Sequence, residues 1–255
     1  MATPQNPPPG PAGLTASEPF VSAHTRATVV VVLFGLYVVV ALSAVATNVA
    51  QLALPPVVLG AAEEGGEPLT LGDLFQFLVA LATLFVFVAL VVAFCLWLHR
   101  AAKNLRALGN KRVEHSPGWA VGSFFVPFAN LVIPYKAVKE VWEKSDPSVR
   151  TGDDLMFAAP SSSGPLLGWW IAWLVSNFLS NIAWRLQAKS TLVTGDFVAG
   201  VDIASDLANV VAALLAIAVV RGIDRRQTER ARRVTYLPHM PPPPPLFRPQ
   251  PRTEP

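Results

Sequence analysis

Residues 116–134 read SPGWAVGSFFVPFANLVIP, and this stretch decides how many times the chain crosses a membrane. Its 19 residues are apolar enough and almost long enough to form a membrane-spanning helix. However, Pro127 lies in the middle of the stretch, where a proline removes a backbone hydrogen bond and kinks a helix. Non-helical backbone at membrane depth is tolerated only where protein shields it or water reaches it. Two interpretations follow: a kinked membrane span, or a hairpin that enters the bilayer and returns.

The composition of the whole chain is typical of a membrane protein. Of its 255 residues, 52% are hydrophobic and 15% are charged, whereas soluble domains carry about 25% charged residues. The single cysteine, Cys95, excludes an internal disulfide and a cysteine-based metal site, and the four histidines show no ligand spacing. We therefore expect no cofactor and no bound metal. The apolar residues form four blocks long enough to cross hydrocarbon, at 27–49, 71–98, 166–185 and 199–220.

Both ends of the chain differ from these blocks. Residues 1–26 are rich in proline, glycine and small polar residues, and residues 223–255 are first basic and then rich in proline. Segments that cannot bury enough apolar surface stay disordered. We interpret residues 1–26 as a disordered tail and residues 223–255 as a basic and then proline-rich tail. A cleaved signal peptide is the alternative for the first block, but Arg26 is the only cation before it, which does not favour cleavage.

The distribution of lysine and arginine separates the two interpretations of residues 117–134. In bacterial membrane proteins, loops rich in these residues stay in the cytoplasm. With four spans and both termini in the cytoplasm, 18 of the 20 basic residues lie on the cytoplasmic side. A fifth span over 118–133 would place twelve cations outside. We therefore predict a re-entrant or interfacial hairpin over 117–134 in a multi-pass protein of the bacterial plasma membrane, and keep a fifth span as the alternative.

The segment after the hairpin has the spacing of an amphipathic helix. Over residues 135–144, apolar side chains recur on one face, while lysine and glutamate occupy the other. Such a helix is suited to lying on the membrane surface or on the basic extension of the second span. We expect an all-α membrane protein with four transmembrane helices. Between the second and third spans we expect a proline-broken re-entrant or interfacial hairpin, followed by this amphipathic helix.

Three stretches of the chain resemble a known family. They are WLHRAAKNLRALG at 97–109, SPGWAVGSFFVPFANLVIPYKAVKEVW at 116–142 and GWW at 168–170. Together they resemble the bacterial membrane proteins grouped as domain of unknown function 4328, over residues 30–222. The resemblance implies a multi-pass membrane protein and brings no activity with it. Its specific positions, which are also our candidate docking positions, are Arg100, Asn104, Arg106, Gly118, Trp119, Pro127, Asn130, Pro134 and Tyr135.

Ionisable residues inside the apolar blocks are the best pointers to function in such a chain. Asp202 and Asp206 lie one turn apart on the fourth block, and in an antiparallel hairpin Asn177 would lie at the depth of Asp206. One hypothesis is a polar pocket for a cation, a proton or a small solute. The alternative is hydrogen bonding between helices, with an Arg185–Asp202 ion pair at the rim and Asp73 capping its own helix. The candidate cluster consists of Asn177, Asn181, Arg185, Asp202, Asp206 and Asp73.

The chain carries no motif that indicates an enzyme. It lacks GxSxG, HExxH and a phosphate-binding Walker loop, so we expect no enzymatic activity. Its arginines are not accompanied by interleaved aromatic residues or by a binding fold, so we expect no nucleic acid. The expected partners are anionic lipid near the arginine-rich segment after residue 220 and an unidentified membrane or cytoplasmic protein.

We therefore expect a structural or regulatory membrane protein that binds its partner through a cytoplasmic layer. The partner would dock on Arg100, Arg106, Trp119 and the helix over 135–144. The alternative function is a small transporter or channel component that uses the polar face with Asp202 and Asp206.

Overall fold

The structure, a computed structural model, describes residues 19–60, 68–110, 112–148, 164–187 and 195–236. For residues 234–236 it describes the backbone alone. Parts of the two predicted tails, 1–18 and 237–255, lie outside the described residues. Within the described residues, the chain forms six α-helices. They are α1 (His24–Ala53), α2 (Leu71–Ala107), α3 (Pro117–Gly122), α4 (Ile133–Lys144), α5 (Gly164–Gln187) and α6 (Gly195–Tyr236).

Helices α1, α2, α5 and α6 are the four in the described part of the chain that are long and apolar enough to cross a membrane. Large apolar side chains cover their outer surfaces, including Val32, Phe77, Phe85 and Phe178, each more than 60% exposed. Contiguous apolar surface of this extent is not found on soluble proteins, whereas hydrocarbon accepts it. The prediction of an all-α membrane protein with four transmembrane helices is confirmed.

The four long helices pack in the order α2, α1, α6, α5. Helix α1 packs along both α2 and α6, and α5 packs along α6. Helices α2 and α5 stand at the two ends of this row and approach each other through Phe94 and Trp169, whose ring centroids are 6.4 Å apart. The space between the two end helices is therefore not filled by a helix–helix interface.

Local sequence sets both ends of α2. Its start is a capping box: the Thr70 hydroxyl accepts from the Asp73 amide at 3.2 Å, and the Asp73 carboxylate accepts from the Thr70 amide at 2.9 Å. The helix ends at Ala107, and Gly109, two residues later, has a φ of 84° that glycine readily adopts. The helix thus continues well beyond its apolar block and carries its last turns out of the hydrocarbon.

Residues 117–134 form a hairpin. Helix α3 leads into a 3₁₀ turn at Ser123–Phe125, the chain reverses around Pro127, and a second 3₁₀ turn at Ala129–Leu131 leads into α4. The two 3₁₀ turns contact each other, and α3 contacts both α2 and α4. Both limbs of the hairpin therefore lie at the same end of the four long helices. The proline-broken hairpin between the second and third spans is confirmed.

Helix α4 is amphipathic, as predicted, and its apolar face is buried. Val138, Val141 and Trp142 pack into one core with Leu105 of α2 and Ile223 of α6. Helix α6 continues through residues 223–233, which we assigned to a tail, because this part of the helix packs against α4 and α2. We call the region built from residues 97–148 and 219–233 the basic end.

Candidate functional site

The polar residues of α5 and α6 form separate hydrogen-bonded groups, not one cluster. The hydroxyls of Ser180 and Ser205 are 2.8 Å apart, and Asn209 Nδ2 donates to the Ser180 hydroxyl at 3.5 Å. These contacts place Asn177 beside Asn209, so the predicted register, which put Asn177 at the depth of Asp206, is wrong by about one helical turn. The depth of each helix follows side-chain packing and not the limits of its apolar block.

The ion pair expected between Arg185 and Asp202 does not form. Arg185 Nε donates to Asn181 Oδ1 at 2.8 Å, and Asp202 accepts from Gln187 Nε2 at 3.0 and 3.1 Å. The helix face explains the exchange, because Gln187 lies seven residues after Ser180 on the side of α5 that contacts α6, whereas Arg185 lies on the side that carries Asn181. Asp206 is half-buried, accepts no hydrogen bond from the described residues and lies within electrostatic range of Tyr37 on α1.

Asp73 belongs to a different part of the molecule. Its carboxylate also accepts from the Thr70 hydroxyl at 2.6 Å, so it caps its own helix. The Gln51 side chain covers Gly72 nearby. Among the described residues, no hydrogen bond joins this group to the polar pairs of α5 and α6. The structure therefore does not bring polar residues from all four spans into one site.

A second polar group, which sequence reasoning did not identify, is buried at the basic end. Glu140 of α4 is 7% exposed, and its carboxylate lies 2.6 Å from Lys144 Nζ and 2.7 Å from His115 Nδ1. It also accepts from the backbone amides of Glu114 at 2.6 Å and His115 at 3.0 Å. Burial by itself would raise the pKa of Glu140, but the hydrogen bonds from Lys144, Glu114 and His115 outweigh it and lower that pKa. The carboxylate is held in its charged form and fixes the chain before α3 to α4.

Arg230 of α6 joins this group from the other side and is 2% exposed. Its NH1 donates to the backbone oxygens of Lys144 at 2.6 Å and Asp146 at 3.2 Å, and its NH2 donates to Asn110 Oδ1 at 3.3 Å. The last carbonyls of a helix have no partner within that helix and carry its negative dipole end. The guanidinium of Arg230 therefore satisfies the C-terminus of α4.

Gln227 connects three elements at once and is 2% exposed. Its Nε2 donates to Ala101 O at 2.8 Å and to the Ser145 hydroxyl at 3.1 Å. Its Oε1 accepts from Asn104 Nδ2 at 3.2 Å, and Asn104 also donates to Val21 O at 2.9 Å. We call the set consisting of Asn104, Asn110, His115, Glu140, Lys144, Ser145, Gln227 and Arg230 the buried polar network.

The candidate docking positions divide between the interior and the surface. Asn104 belongs to the buried polar network, Pro134 is buried, and Tyr135 packs on Trp170 with ring centroids 6.1 Å apart. Arg100 is half-buried, as is Asn130, whose buried Oδ1 accepts no hydrogen bond from the described residues. The candidate positions that are exposed are Arg106, Gly118, Trp119 and Pro127.

A cavity of about 270 Å³ lies between the long helices on the side of α2 and α5. Aromatic side chains dominate its lining, and the hairpin closes it toward the basic end with Phe124. A small polar part of the lining comes from Tyr37, Ser176, Asn177 and Asn209. The described residues contain no group of three or more His, Cys, Asp or Glu side chains that could hold a metal ion.

Comparison with known proteins gives a family and no closer relative. No curated protein and no solved structure matches the chain. The family model described as "Domain of unknown function (DUF4328)" matches residues 64–225. This match covers α2, the hairpin, α4, α5 and α6 as far as Arg225, and it exceeds half of the chain. The chain therefore belongs to the family defined by domain of unknown function 4328.

Proposed function

We propose that this protein is a structural or regulatory membrane protein that binds a partner protein through its basic end. The observation that carries the proposal is the buried polar network, which locks α4 between the extensions of α2 and α6. Charged side chains are costly to bury and are retained where they fix one arrangement of the surrounding elements. A fixed arrangement gives the basic end a preorganised surface, and preorganisation lowers the entropy lost on binding.

The exposed side chains of this surface suit an acidic partner. Trp119, in the first limb of the hairpin, is 44% exposed, and tryptophan and arginine are enriched among the residues that contribute most to binding at protein interfaces. A positive surface steers an acidic partner toward it and selects against basic ones. The arginines that α6 exposes would in addition contact anionic lipid headgroups. The exposed cations of the basic end are Arg106, Arg112, Lys136, Arg221, Arg225, Arg232 and Arg233, and the exposed Arg26 of α1, which donates to Leu96 O, lies beside them.

A crosslinking experiment in native membranes tests the partner. A photoreactive amino acid replaces Trp119 or Arg106 at the basic end, or Leu59 at the opposite end as the matched control; Leu59 is 49% exposed. We expect one discrete protein adduct from positions 119 and 106, and none from position 59. This adduct should be lost when Arg232→Glu and Arg233→Glu are added. Adducts with lipid alone at positions 119 and 106 would rule out the proposal.

The proposed orientation places the basic end and both termini in the cytoplasm of a bacterial cell, because lysine and arginine concentrate there. Single cysteines at Leu59 and Arg225, in a Cys95→Ala background, test this orientation. We expect a membrane-impermeant maleimide to label intact cells at position 59 and to label position 225 only after permeabilisation. The reverse pattern would contradict the orientation.

The alternative function, a small transporter or channel component, depends on Asp206. Its carboxylate accepts no hydrogen bond from the described residues, which favours a role beyond helix packing. Against it, Asp202 and Ser205 are already paired with α5. Proton and cation flux into proteoliposomes, compared between the native protein, Asp206→Asn and Asp202→Asn, separates the two functions. Flux that Asp206→Asn alone abolishes would favour transport over the partner-binding function.

A further inference from the structure

The cavity between the end helices of the row has the chemistry of a hydrocarbon site. Rings from α1, α2, α5 and the hairpin surround it, and they contact one another as an aromatic cluster. Phe94 lies 6.4 Å from Phe34, 5.7 Å from Phe124 and 6.4 Å from Trp169, measured between ring centroids. Apart from the polar residues named above, the lining is apolar, and apolar cavity surface excludes water and binds apolar molecules. The lining is therefore suited to a chain of methylene groups and not to an ion.

The cavity opens toward the bilayer. Two of its lining residues, Phe87 of α2 and Phe125 of the hairpin, are 51% and 65% exposed, so they form a rim and not a closed wall. The rim lies where α2 and α5 lack a packed interface. Because α2 and α5 are membrane-spanning helices, the medium outside this rim is lipid. A molecule that enters from the side therefore comes from the bilayer itself.

We propose that this cavity binds one acyl chain of a membrane phospholipid, drawn in laterally between α2 and α5. Its volume of about 270 Å³ exceeds that of a cavity that holds benzene, ~150 Å³. It falls slightly short of the roughly 300–1,000 Å³ typical of sites for drug-sized molecules. The cavity admits part of one chain, with the remainder at the rim, and it does not admit a second chain or a whole lipid. The headgroup would stay outside the rim.

The hairpin forms the floor of this site. Phe124 packs edge-on against Trp173 of α5 with ring centroids 6.3 Å apart, as well as against Phe94 of α2. It thereby bridges the two end helices of the row below the cavity. The apolar hairpin of residues 116–134 therefore closes the site and keeps the acyl chain from reaching the basic end.

Cys95 makes the site directly measurable. It is the single cysteine of the chain and lines the cavity. The purified native protein in detergent is titrated with phosphatidylglycerol, and the alkylation rate of Cys95 by a small maleimide is followed by mass spectrometry. We expect the rate to fall about tenfold when the lipid exceeds its Kd by about ten times. No slowing at saturating phospholipid, or slowing only with a free fatty acid or a polyisoprenoid, would overturn the proposal.

A cavity-filling variant provides the second test. Ala213 is 3% exposed and lines the cavity, whereas its neighbour Leu214 is 52% exposed on the outer face of α6. In vesicles that contain a phospholipid with a photoreactive acyl chain, we expect labelling of the inward-facing lining residues Leu90, Phe94 and Cys95 in the native protein and in Leu214→Phe. Ala213→Phe should lose most of this labelling and keep that of the outward residues Val32 and Phe85. Equal labelling of Leu90, Phe94 and Cys95 in all three proteins would overturn the site.

Discussion

The guanidinium carbon of Arg226 lies 3.9 Å from the centroid of the Trp142 ring, and Arg226 NH1 donates to Trp142 O at 3.1 Å. The same guanidinium lies 3.6 Å from the Asp146 carboxylate. A cation over an indole face is a favourable contact that gains strength as water is excluded. Arg226 therefore ties α6 to α4 through one aromatic ring, which is 6% exposed and packs on the helix at Gly222.

Gly222 has to remain without a side chain because a Cβ there would overlap the Trp142 ring. We expect Gly222→Ala to destabilise the protein by about 1–3 kcal/mol, since the ring must shift and its contact with Arg226 is lost. Gly35 of α1 is the matched control, because a Cβ there would meet nothing within 4 Å. Gly35→Ala should stabilise its helix by up to ~1 kcal/mol. Thermal unfolding in detergent measures the stability of both variants. Equal changes in their melting temperatures would contradict the close contact between Gly222 and Trp142.

Glu140 makes the basic end sensitive to acid. Its pKa is lowered in the folded protein, so its contribution to stability is complete above the ordinary carboxyl pKa of about 4.3 and is lost as pH falls through the lowered value. Asp146, whose pKa is lowered by Ser148, Arg226 and Arg230 against the opposing effect of burial, should add to the same loss. We therefore expect stability to fall steeply on acidification below about pH 4.3.

Replacing Glu140 by glutamine checks this assignment. Glu140→Gln leaves Lys144 buried without its carboxylate, so we expect the free energy of unfolding to fall by about 3–5 kcal/mol near neutral pH. We also expect stability to depend less on pH in the acid range. Glu143→Gln is the control, since Glu143 forms a 3.7 Å ion pair with Lys139 in which both side chains are about 40% exposed. Exposed pairs contribute roughly 0–1 kcal/mol. Chemical denaturation at several pH values gives both quantities. If Glu140→Gln left the loss of stability in acid unchanged, this carboxylate would be excluded as the cause of that loss.

Arg230 is expected to matter more than its exposed neighbours. Arg230→Ala removes the donors to the end of α4 and leaves the Lys144 and Asp146 carbonyls without them. Hydrogen bonds that involve a charged group are each worth about 1.5–3 kcal/mol, and we expect a loss in that range. Arg232→Ala, at an exposed position on the same helix turn, should change the unfolding free energy by less than about 0.5 kcal/mol. Similar losses in both variants would show that α6 does not pack through residue 230.

The hairpin was predictable because two independent constraints agree on it. Pro127 disfavours a continuous helix, and the lysines and arginines that follow disfavour a fifth crossing. The alternation of apolar and charged residues over 135–144 was likewise sufficient to predict α4. Each of these signals is local in the sequence or depends only on counting charges. Neither requires knowledge of which residues meet in three dimensions.

The buried polar network could not be predicted in the same way. Glu140 and Lys144 look like an exposed charged face, and Gln227 and Arg230 look like part of a solvated tail. Their partners are distant in sequence: Gln227 binds Ala101, 126 residues away, and Arg230 binds Asn110, 120 residues away. The one usable signal is that Ile223, Gln227 and Arg230 recur at helical spacing after the apolar block. That spacing predicts one buried face of a continuing helix.

The tip of the hairpin is expected to lie in the hydrocarbon and not in water. Phe128 is 88% exposed at the point of reversal and adopts a φ of 63°. A non-glycine residue is rarely found there, and such an exposed aromatic side chain is expected to be in contact with lipid. A spin label at Phe128→Cys, in a Cys95→Ala background, should therefore collide more with oxygen than with a water-soluble nickel chelate. The label at Arg225→Cys is the control and should show the opposite preference, because Arg225 is exposed at the basic end. Preferential collision of nickel with both labels would place the tip outside the bilayer and remove the hairpin from the floor of the acyl-chain site.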